Sequence, residues 1–534
     1  MTHRPVVLII LDGWGVGEKN ASNPLWQAKL PTFDYIKRNW PATTLQAAGI
    51  AVGLPWGEEG NSEVGHSTLG SGKITYQHLP RITLSIRDGT FFQNPVLLKT
   101  FEHVKNNNSN LHLLGLLSSA HIHSSYDHLE ALIDMAVRQN IKNLKIHVIC
   151  DGRDSGPKEE IKFIDKLETK IKSAGIGEIA TLCGRFYAMD RDNHWERTQK
   201  AYQLYTQGKG KIYANPYIAL DDVYKKGLSD EFVEPIVIAT DPQNIQTNLI
   251  KDNDAVIFFN FREDSARQLS QAFCQQEFSR FLREPLKNIL FTTMTKYDEK
   301  IPCPAVFEPT KITMPLAKIL SDRGLRQLHI GETEKYAHVT YFFNGGFENP
   351  FPQEYRILVP SLSTPRFDEH PEMSAFEITT RLIGAIEEKV YDFIVVNYAN
   401  PDIIAHTGNF DAAIRAAEII DDCIRQVINS VLKNNYIIII TADHGNIEKM
   451  LDPQTGEVKT GHDPNPVPFY LIANEFFRPK SEDEILRSEE AIGGLLSDVA
   501  PTILELMNIP KPPEMTGRSL LPILGIGIWG MTRR

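Results

Sequence analysis

Cysteine is scarce in this chain. Five thiols (Cys150, Cys183, Cys274, Cys303, Cys423) are spread over 534 residues, odd in number and without a CxxC pair. That pattern supports neither a disulfide framework nor a thiolate zinc site. Long apolar runs are missing as well, since no stretch reaches the roughly 18 apolar residues of a membrane span. Val6–Leu11 is apolar, but it is too short for a signal-peptide core and runs directly into Asp12. Positive charge is in deficit: 56 Lys and Arg against 67 Asp and Glu leave a formal charge of −11. This disfavours broad nucleic-acid binding while leaving room for a local basic pocket. No internal repeat, low-complexity tract or coiled coil is present. The expectation is a soluble cytoplasmic protein of ordinary globular composition, 42% hydrophobic and 23% charged. Its length predicts two or more domains.

What the chain does have is a recurrent short apolar run. Val6–Leu11, Leu111–Leu117, Leu144–Cys150, Glu178–Cys183, Ala255–Asn260, Ile289–Met294, Phe393–Tyr398 and Tyr436–Thr441 all show it. Each reads as a strand buried on both faces. Helical patterns lie between them, for example Asp127–Arg138, Lys158–Ile171, Asn193–Tyr205 and Ala412–Val431. The alternation predicts an α/β protein with mostly parallel sheets flanked by helices. Metal-type residues fall before residue 70 and after 400, whereas arginine-rich islands fall between 120 and 270. That partition predicts one domain built from both ends and a second inserted into it. The proline-containing segments Tyr76–Pro80 and Pro302–Pro315 are the expected crossings.

Chemistry-bearing residues sit just beyond the strand-like runs, where ligands bind in open α/β sheets. Asp12 follows the first run, and Asp443-His444 follow the last. Asp402 and His406 have the i, i+4 spacing that puts both on one helical face. His462 lies in a Gly-His-Asp segment with no evident packing role. Taken alone, each is more often a turn aspartate or a surface histidine. Together, carboxylates and imidazoles without thiolate suit manganese, zinc or a related dication. Two metals about 3.5–4 Å apart can clamp both oxygens of an in-line displacement. Ser62, in Gly60-Asn61-Ser62-Glu63, is expected to cap a short helix. A helix N-terminus also favours an anion, and metal coordination would make the hydroxyl a nucleophile.

Arg153, Arg185 and Arg262 each follow a strand-like run, and Arg191 lies in Met189-Asp190-Arg191-Asp192. Guanidinium forks match phosphate and carboxylate bidentately. A surface salt bridge is the common fate of arginine, and the repeated position beyond strand ends shifts the reading toward a substrate pocket. His123 joins them as a donor or proton carrier, Asp154 as a general acid or base. Lys335 is read either as a phosphate-neutralising lysine or as a solvated one.

The strings LDGWG (11–15), GNSEVGH (60–66), CDGRDSGP (150–157), GRFYAMDRDNHWER (184–197) and NFRED (260–264) occur in that order. ETEKYAHVT (332–340), NYANPDIIAHTG (397–408), TADHGN (441–446) and GHDPNPVP (461–468) follow. Through them the chain closely resembles the cofactor-independent (2,3-bisphosphoglycerate-independent) phosphoglycerate mutase family of the alkaline phosphatase superfamily. The resemblance implies a discontinuous, alkaline-phosphatase-like metal domain, residues 1–76 and 312–534, with an inserted phosphoglycerate-binding transferase domain, 77–311. It implies two divalent metals, usually manganese, and no 2,3-bisphosphoglycerate. One metal would take Asp402, His406 and His462, the other Asp12, Ser62, Asp443 and His444. The substrate residues would be His123, Arg153, Asp154, Arg185, Arg191, Arg262 and Lys335.

The implied activity interconverts 3-phosphoglycerate and 2-phosphoglycerate in glycolysis and gluconeogenesis. It runs through a phosphoserine on Ser62, with Asp154 and Lys335 assisting. The implied enzyme is a monomer acting on a small molecule, without nucleic-acid or membrane partners, that closes to exclude water. There are departures. Ser265 stands where a second arginine is expected, and Arg267 lies two residues on. Ser125 replaces a histidine while His121 is gained, and Trp56-Gly57-Glu58-Glu59 differs from the usual loop. A related hydrolase or phosphopentomutase is disfavoured by GRFYAMDRDNHWER. A non-catalytic binding protein is disfavoured because no metal ligand is lost.

Overall fold

The computed structural model describes residues 4–527; residues 1–3 and 528–534, the extremes of the expected outer domain, lie outside the described residues. The chain divides into two compact units, Met1–Gln77 with Thr310–Arg534, and His78–Pro309. Each unit is built on one eight-stranded sheet.

In the first unit the strand order is Glu354–Val359, Gln327–Glu332, Phe393–Tyr398, Val6–Leu11, Ile437–Thr441, Val467–Ile472, Ala42–Gln46 and Ile492–Leu495. The first five run parallel, and Val467–Ile472 is antiparallel to both its neighbours. Every residue of Val6–Leu11 is buried, as a central parallel strand requires. Leu11 lies opposite Tyr398, and Ile10 opposite Thr441. The three central strands therefore end together, and the residues that follow leave the sheet along one edge.

Helix Phe410–Lys433 covers this sheet through Ala417, Ile420, Ile424, Val427 and Val431, spaced by threes and fours along one buried stripe. Asn409 caps it, its side chain accepting from Ala412 N at 3.1 Å. The same helix carries buried Asp421, which accepts from the backbone N–H groups of Thr32 and Phe33 at 3.1 and 3.0 Å. Those groups begin helix Pro31–Asn39, whose preceding residue Leu30 has no side-chain oxygen to offer.

The second unit has the order Ala305–Phe307, Leu290–Thr295, Ala255–Phe258, Leu111–Leu117, Leu144–Cys150, Glu178–Gly184, Ile236–Ile238 and Lys211–Tyr213. Its first six strands are parallel. Leu117 faces Cys150, and Cys150 faces Gly184. The loops bearing His123, Arg153, Asp154 and Arg185 thus leave from a common edge.

Three sequence expectations need correction. Cys274 and Cys303 are paired, with Sγ atoms 2.11 Å apart and Cα atoms 6.4 Å apart. The end of helix Arg267–Cys274 and the turn before Ala305–Phe307 bring them together, an encounter that a 29-residue spacing does not announce. Ser62 is the first residue of helix Ser62–Ser71 rather than its cap, because Asn61 takes that place and accepts from Val64 N at 3.0 Å. The run Ala255–Asn260 also stops pairing at Phe258, since Asn260 turns its side-chain oxygen to Leu116 N at 2.9 Å. Among the described residues no helix is long and apolar enough to cross a membrane.

Candidate active site

The first unit gathers Asp12, Ser62, Lys335, Asp402, Asp443 and His444 into a buried cluster. Ser62 Oγ donates to Asp12 Oδ1 at 3.1 Å, lies 3.0 Å from His444 Nε2 and accepts from Lys335 Nζ at 2.7 Å. Lys335 arrives from the turn after Gln327–Glu332. Its ammonium also donates to Asp12 Oδ1 at 2.7 Å and to Asp402 Oδ2 at 2.6 Å. The serine hydroxyl therefore sits at a helix N-terminus with one cation and several potential ligands within hydrogen-bond reach.

Asp402 and His406 lie on helix Asn400–His406. His406 Nε2 is 3.3 Å from Asp402 Oδ1, and His462 Nε2 is 3.4 Å from the same oxygen. The donor atoms of Asp402, His406 and His462 lie within 4.8 Å of one another, and so do those of Asp12, Asp443 and His444. A third group, Asp190, Asp192 and His194, meets the same distance. There the Asp190 oxygens already accept from the Asp192 and His194 backbone, Gln268, Arg197 and the His194 ring. That carboxylate organises its own loop.

The residues of the first two groups fit dications. His406 Nδ1 donates to Thr460 O at 2.7 Å, and His462 Nδ1 donates to Gly60 O at 2.7 Å. Each backbone carbonyl thereby fixes the tautomer and leaves a lone pair on Nε2. Those two lone-pair nitrogens approach to 3.2 Å beside a carboxylate, an arrangement a cation resolves. The His444 ring is oriented by a similar contact, Nδ1 donating to Gly445 O at 3.2 Å, and its Nε2 offers a free lone pair once the ring is neutral. Asp443 Oδ2 is buried without a hydrogen bond. With neutral imidazoles the cluster sets three carboxylates against one ammonium.

Electrostatics follow from this crowding. Burial raises Asp12, but the Lys335 ammonium and His444 outweigh it and hold the carboxyl well below its ordinary range. Asp402 behaves alike, burial being overcome by Lys335, His406 and His462. Burial lowers His444, yet Asp443, Asp12 and Asp402 push it up to about 10. Lys335 is raised above its ordinary value by Asp12, Asp402 and Asp443 against a large burial cost.

In the second unit Arg185 is the buried centre of the arginine set. Its Nη1 donates to Asp151 Oδ1 and to Asp154, and its Nη2 donates to His123 Nε2 at 3.1 Å. His123 thus accepts through Nε2 and carries its proton on Nδ1, which has no hydrogen-bond partner and lies 3.7 Å from Asp264 Oδ1. Burial, then Arg185, pull His123 down to about 4, so the ring is neutral at pH 7. Asp264 Oδ2 accepts from Arg191 at 2.8 Å and from Arg262 at 3.1 Å. Arg153 stands apart, its guanidinium paired with Glu231 and half exposed. Arg267 donates Nε to Tyr297 O at 2.8 Å, and buried Ser265 bonds its neighbour Asp264.

Several organising residues escape a reading by motif chemistry. Asp151 accepts from Ser118 Oγ at 2.5 Å, Ser155 N at 3.0 Å and Asp154 N at 3.1 Å, as well as from Arg185. Asn397 donates to Asp12 Oδ2 at 2.6 Å and sits 3.0 Å from His66 Nε2. His66 Nδ1 in turn donates to Ser62 O at 2.8 Å. The only sequence signal for Asp151 and Asn397 is a polar residue at the end of, or just beyond, an otherwise apolar run.

Comparison with known proteins adds three findings. Residues 82–299 match a family model described as "BPG-independent PGAM N-terminus". Relatives named 2,3-bisphosphoglycerate-independent phosphoglycerate mutase include one from Clostridium novyi, 46% identical, covering 97% of this chain and 100% of the relative. Another, from Chloroflexus aurantiacus, is 45% identical over 97% of this chain and 98% of the relative. Among solved structures, Leishmania mexicana phosphoglycerate mutase, crystallised at low cobalt concentration, aligns with a TM-score of 0.51 and 28% identity. That alignment covers 97% of this chain and 98% of that one.

Proposed function

This chain belongs to the 2,3-bisphosphoglycerate-independent phosphoglycerate mutase family, isomerases acting on phosphoglycerates, and from that premise we propose its mechanism. It interconverts 3-phosphoglycerate and 2-phosphoglycerate through a phosphoserine on Ser62, with two divalent ions, manganese by preference, and no bisphosphoglycerate. The observation that carries this reading is the position of Ser62 Oγ, within 3.1 Å of Asp12, His444 and Lys335 at a helix N-terminus.

Asp402, His406 and His462 would hold one ion, and Asp12, Ser62, Asp443 and His444 the other. When bound, such ions lower hydroxyl pKa values and neutralise charge on phosphoryl oxygens. The protein's own groups do the rest. Arg185, Arg191, Arg262 and Arg153 bind the substrate's carboxylate and phosphate with paired donors. His123, neutral and with a free Nδ1–H, donates to the same molecule. Ser62 Oγ, which loses its proton to solvent as substrate binds, attacks phosphorus, its bond forming as the bond to the C3 oxygen breaks. Asp154, protonated at this point, gives the departing glycerate oxygen its proton and is left as the carboxylate. In the return step Asp154 takes the proton of the 2-hydroxyl, which attacks the phosphoserine and frees Ser62. Lys335 stays beside the transferring group as a fixed cation, and preorganised charge of that kind is usually the largest catalytic contribution.

The reading requires glycerate to be retained between steps. A coupled assay on 3-phosphoglycerate tests it, run without bisphosphoglycerate. Turnover should vanish with chelator and return with manganese. Release of inorganic phosphate in place of isomer would replace the mutase reading with a phosphatase.

A further inference from the structure

Glu448 is fully enclosed, yet it belongs to none of the ligand sets. Its Oε2 accepts from Gly15 N at 2.9 Å and from Asn446 N at 2.8 Å. Its Oε1 accepts from Asn465 Nδ2 at 3.2 Å. Those three partners lie on three separate segments. Gly15 is on the loop of Asp12, Asn446 on the loop of Asp443 and His444, and Asn465 on the loop of His462.

A fourth connection runs through Asn446. Its side-chain amide donates to Asp402 Oδ1 at 2.8 Å, the oxygen nearest His406 and His462. Fixing the Asn446 backbone therefore also fixes the partner of Asp402. The surroundings leave no slack: a methyl group at Gly15 would stand 2.2 Å from the Glu448 carboxyl, and one at Gly445 would stand 2.3 Å from Oε1.

We propose that Glu448 is a positioning residue whose carboxyl sets the register of the ligand loops carrying Asp12, Asp443, His444 and His462, and through Asn446 of Asp402. It touches no substrate and holds no ion. What it supplies is reach: a two-carbon stem that lets one oxygen meet two backbone N–H groups while the other meets Asn465. Burial pushes its pKa up to about 7, and each of its three contacts needs only an acceptor oxygen at the right reach, so the proposal assigns the role to shape rather than charge. This inference rests on the two-ion reading above.

The distinction between reach and charge is testable in the full-length chain. Glu448→Gln keeps the stem and the acceptor oxygen, and Asn465 can turn its amide to match. Glu448→Asp keeps the charge but shortens the stem. Mn2+ alone is titrated into each protein, following free ion by electron paramagnetic resonance, while thermal unfolding of the metal-free protein is recorded.

We expect Glu448→Asp and Glu448→Ala to weaken Mn2+ binding by about 10–100-fold, the range seen when groups supporting metal ligands are lost. Glu448→Gln should stay within about threefold of the parent, far outside that range. The metal-free melting temperature of Glu448→Asp should move by no more than about 4 °C. If Glu448→Ala fails to fold, the other two variants decide. Parent-like binding by Glu448→Asp, equal losses in Asp and Gln, or an affinity loss that merely follows a collapsed melting transition would each overturn the proposal. A parent protein that binds no Mn2+ would instead bring down the two-ion reading, and this inference with it.

Discussion

Metal binding should expel a proton, and the size of the effect follows from His444. Burial alone would lower that imidazole. Asp443, Asp12 and Asp402 surround it and push it up to about 10, from an ordinary 6.5. At pH 7 the metal-free ring is therefore charged, and a charged ring cannot ligate. Removing that proton across about 3 pH units costs about 4 kcal/mol at 1.36 kcal/mol per unit. Apparent affinity for the ion should then rise about tenfold per pH unit, near 100-fold between pH 7 and pH 9. His406, raised above its ordinary value chiefly by its hydrogen bond to Asp402, steepens the dependence toward lower pH.

The metal-free chain moves the other way. A group raised on folding contributes stability that is complete below its unfolded value, here 6.5, and is lost as pH rises through about 10. Calorimetric titration of Mn2+ at pH 8, in buffers of different ionisation enthalpy, counts the protons. The account predicts about one proton released per chain. Zero release, with affinity flat from pH 7 to pH 9, would refute the assignment of His444 as a ligand.

Two further outcomes are expected. Arg185→Ala leaves the Asp151 and Asp154 carboxylates without their guanidinium. It should destabilise the chain by about 3–5 kcal/mol in urea unfolding, as breaking buried pairs does; that variant should also lose most of its activity. Asp421→Ala removes the acceptor that caps helix Pro31–Asn39 from outside. It should cost about 1–2 kcal/mol, read by the same unfolding assay, with the mutase rate at 25 °C unchanged.

Much of the fold was legible because apolar residues dominate its central strands, even where those strands also bury His112, Lys145, His147 and Asn397. Val6–Leu11, Leu111–Leu117, Leu144–Cys150 and Phe393–Tyr398 begin and end where their apolar runs do. Of the strands that escape notice, Val467–Ile472 is apolar but interrupted by Pro468, others are very short, and Gln327–Glu332 is polar at half its positions. Gln327–Glu332 buries Gln327 and His329, satisfied by Ala317 O and Val339 O at 2.7 Å each. Lys211–Tyr213, Ile236–Ile238 and Ala305–Phe307 have three residues each, too few for a period to register.

The candidate site divides in the same way. Residues with nameable chemistry could be chosen from local pattern: Asp12, His444 and Arg185 from their position after a strand, Asp402 from its i, i+4 spacing to His406, and Ser62 from its place at the start of a short helix. Glu448, Asn397 and Asp151 act by holding backbone or neighbouring side chains, and such a role appears only once segments distant in sequence meet. Cys274 and Cys303 are the same case, since a 29-residue separation carries no signature of pairing.

The most direct measurement is rapid-quench mass spectrometry of the manganese-loaded chain mixed with 3-phosphoglycerate, with Ser62→Ala as the control. The account predicts one phosphoryl group on the peptide bearing Ser62, formed and lost at rates compatible with turnover, and neither adduct nor turnover in the control. A phosphoryl group on another side chain, or full mutase activity in Ser62→Ala, would contradict it.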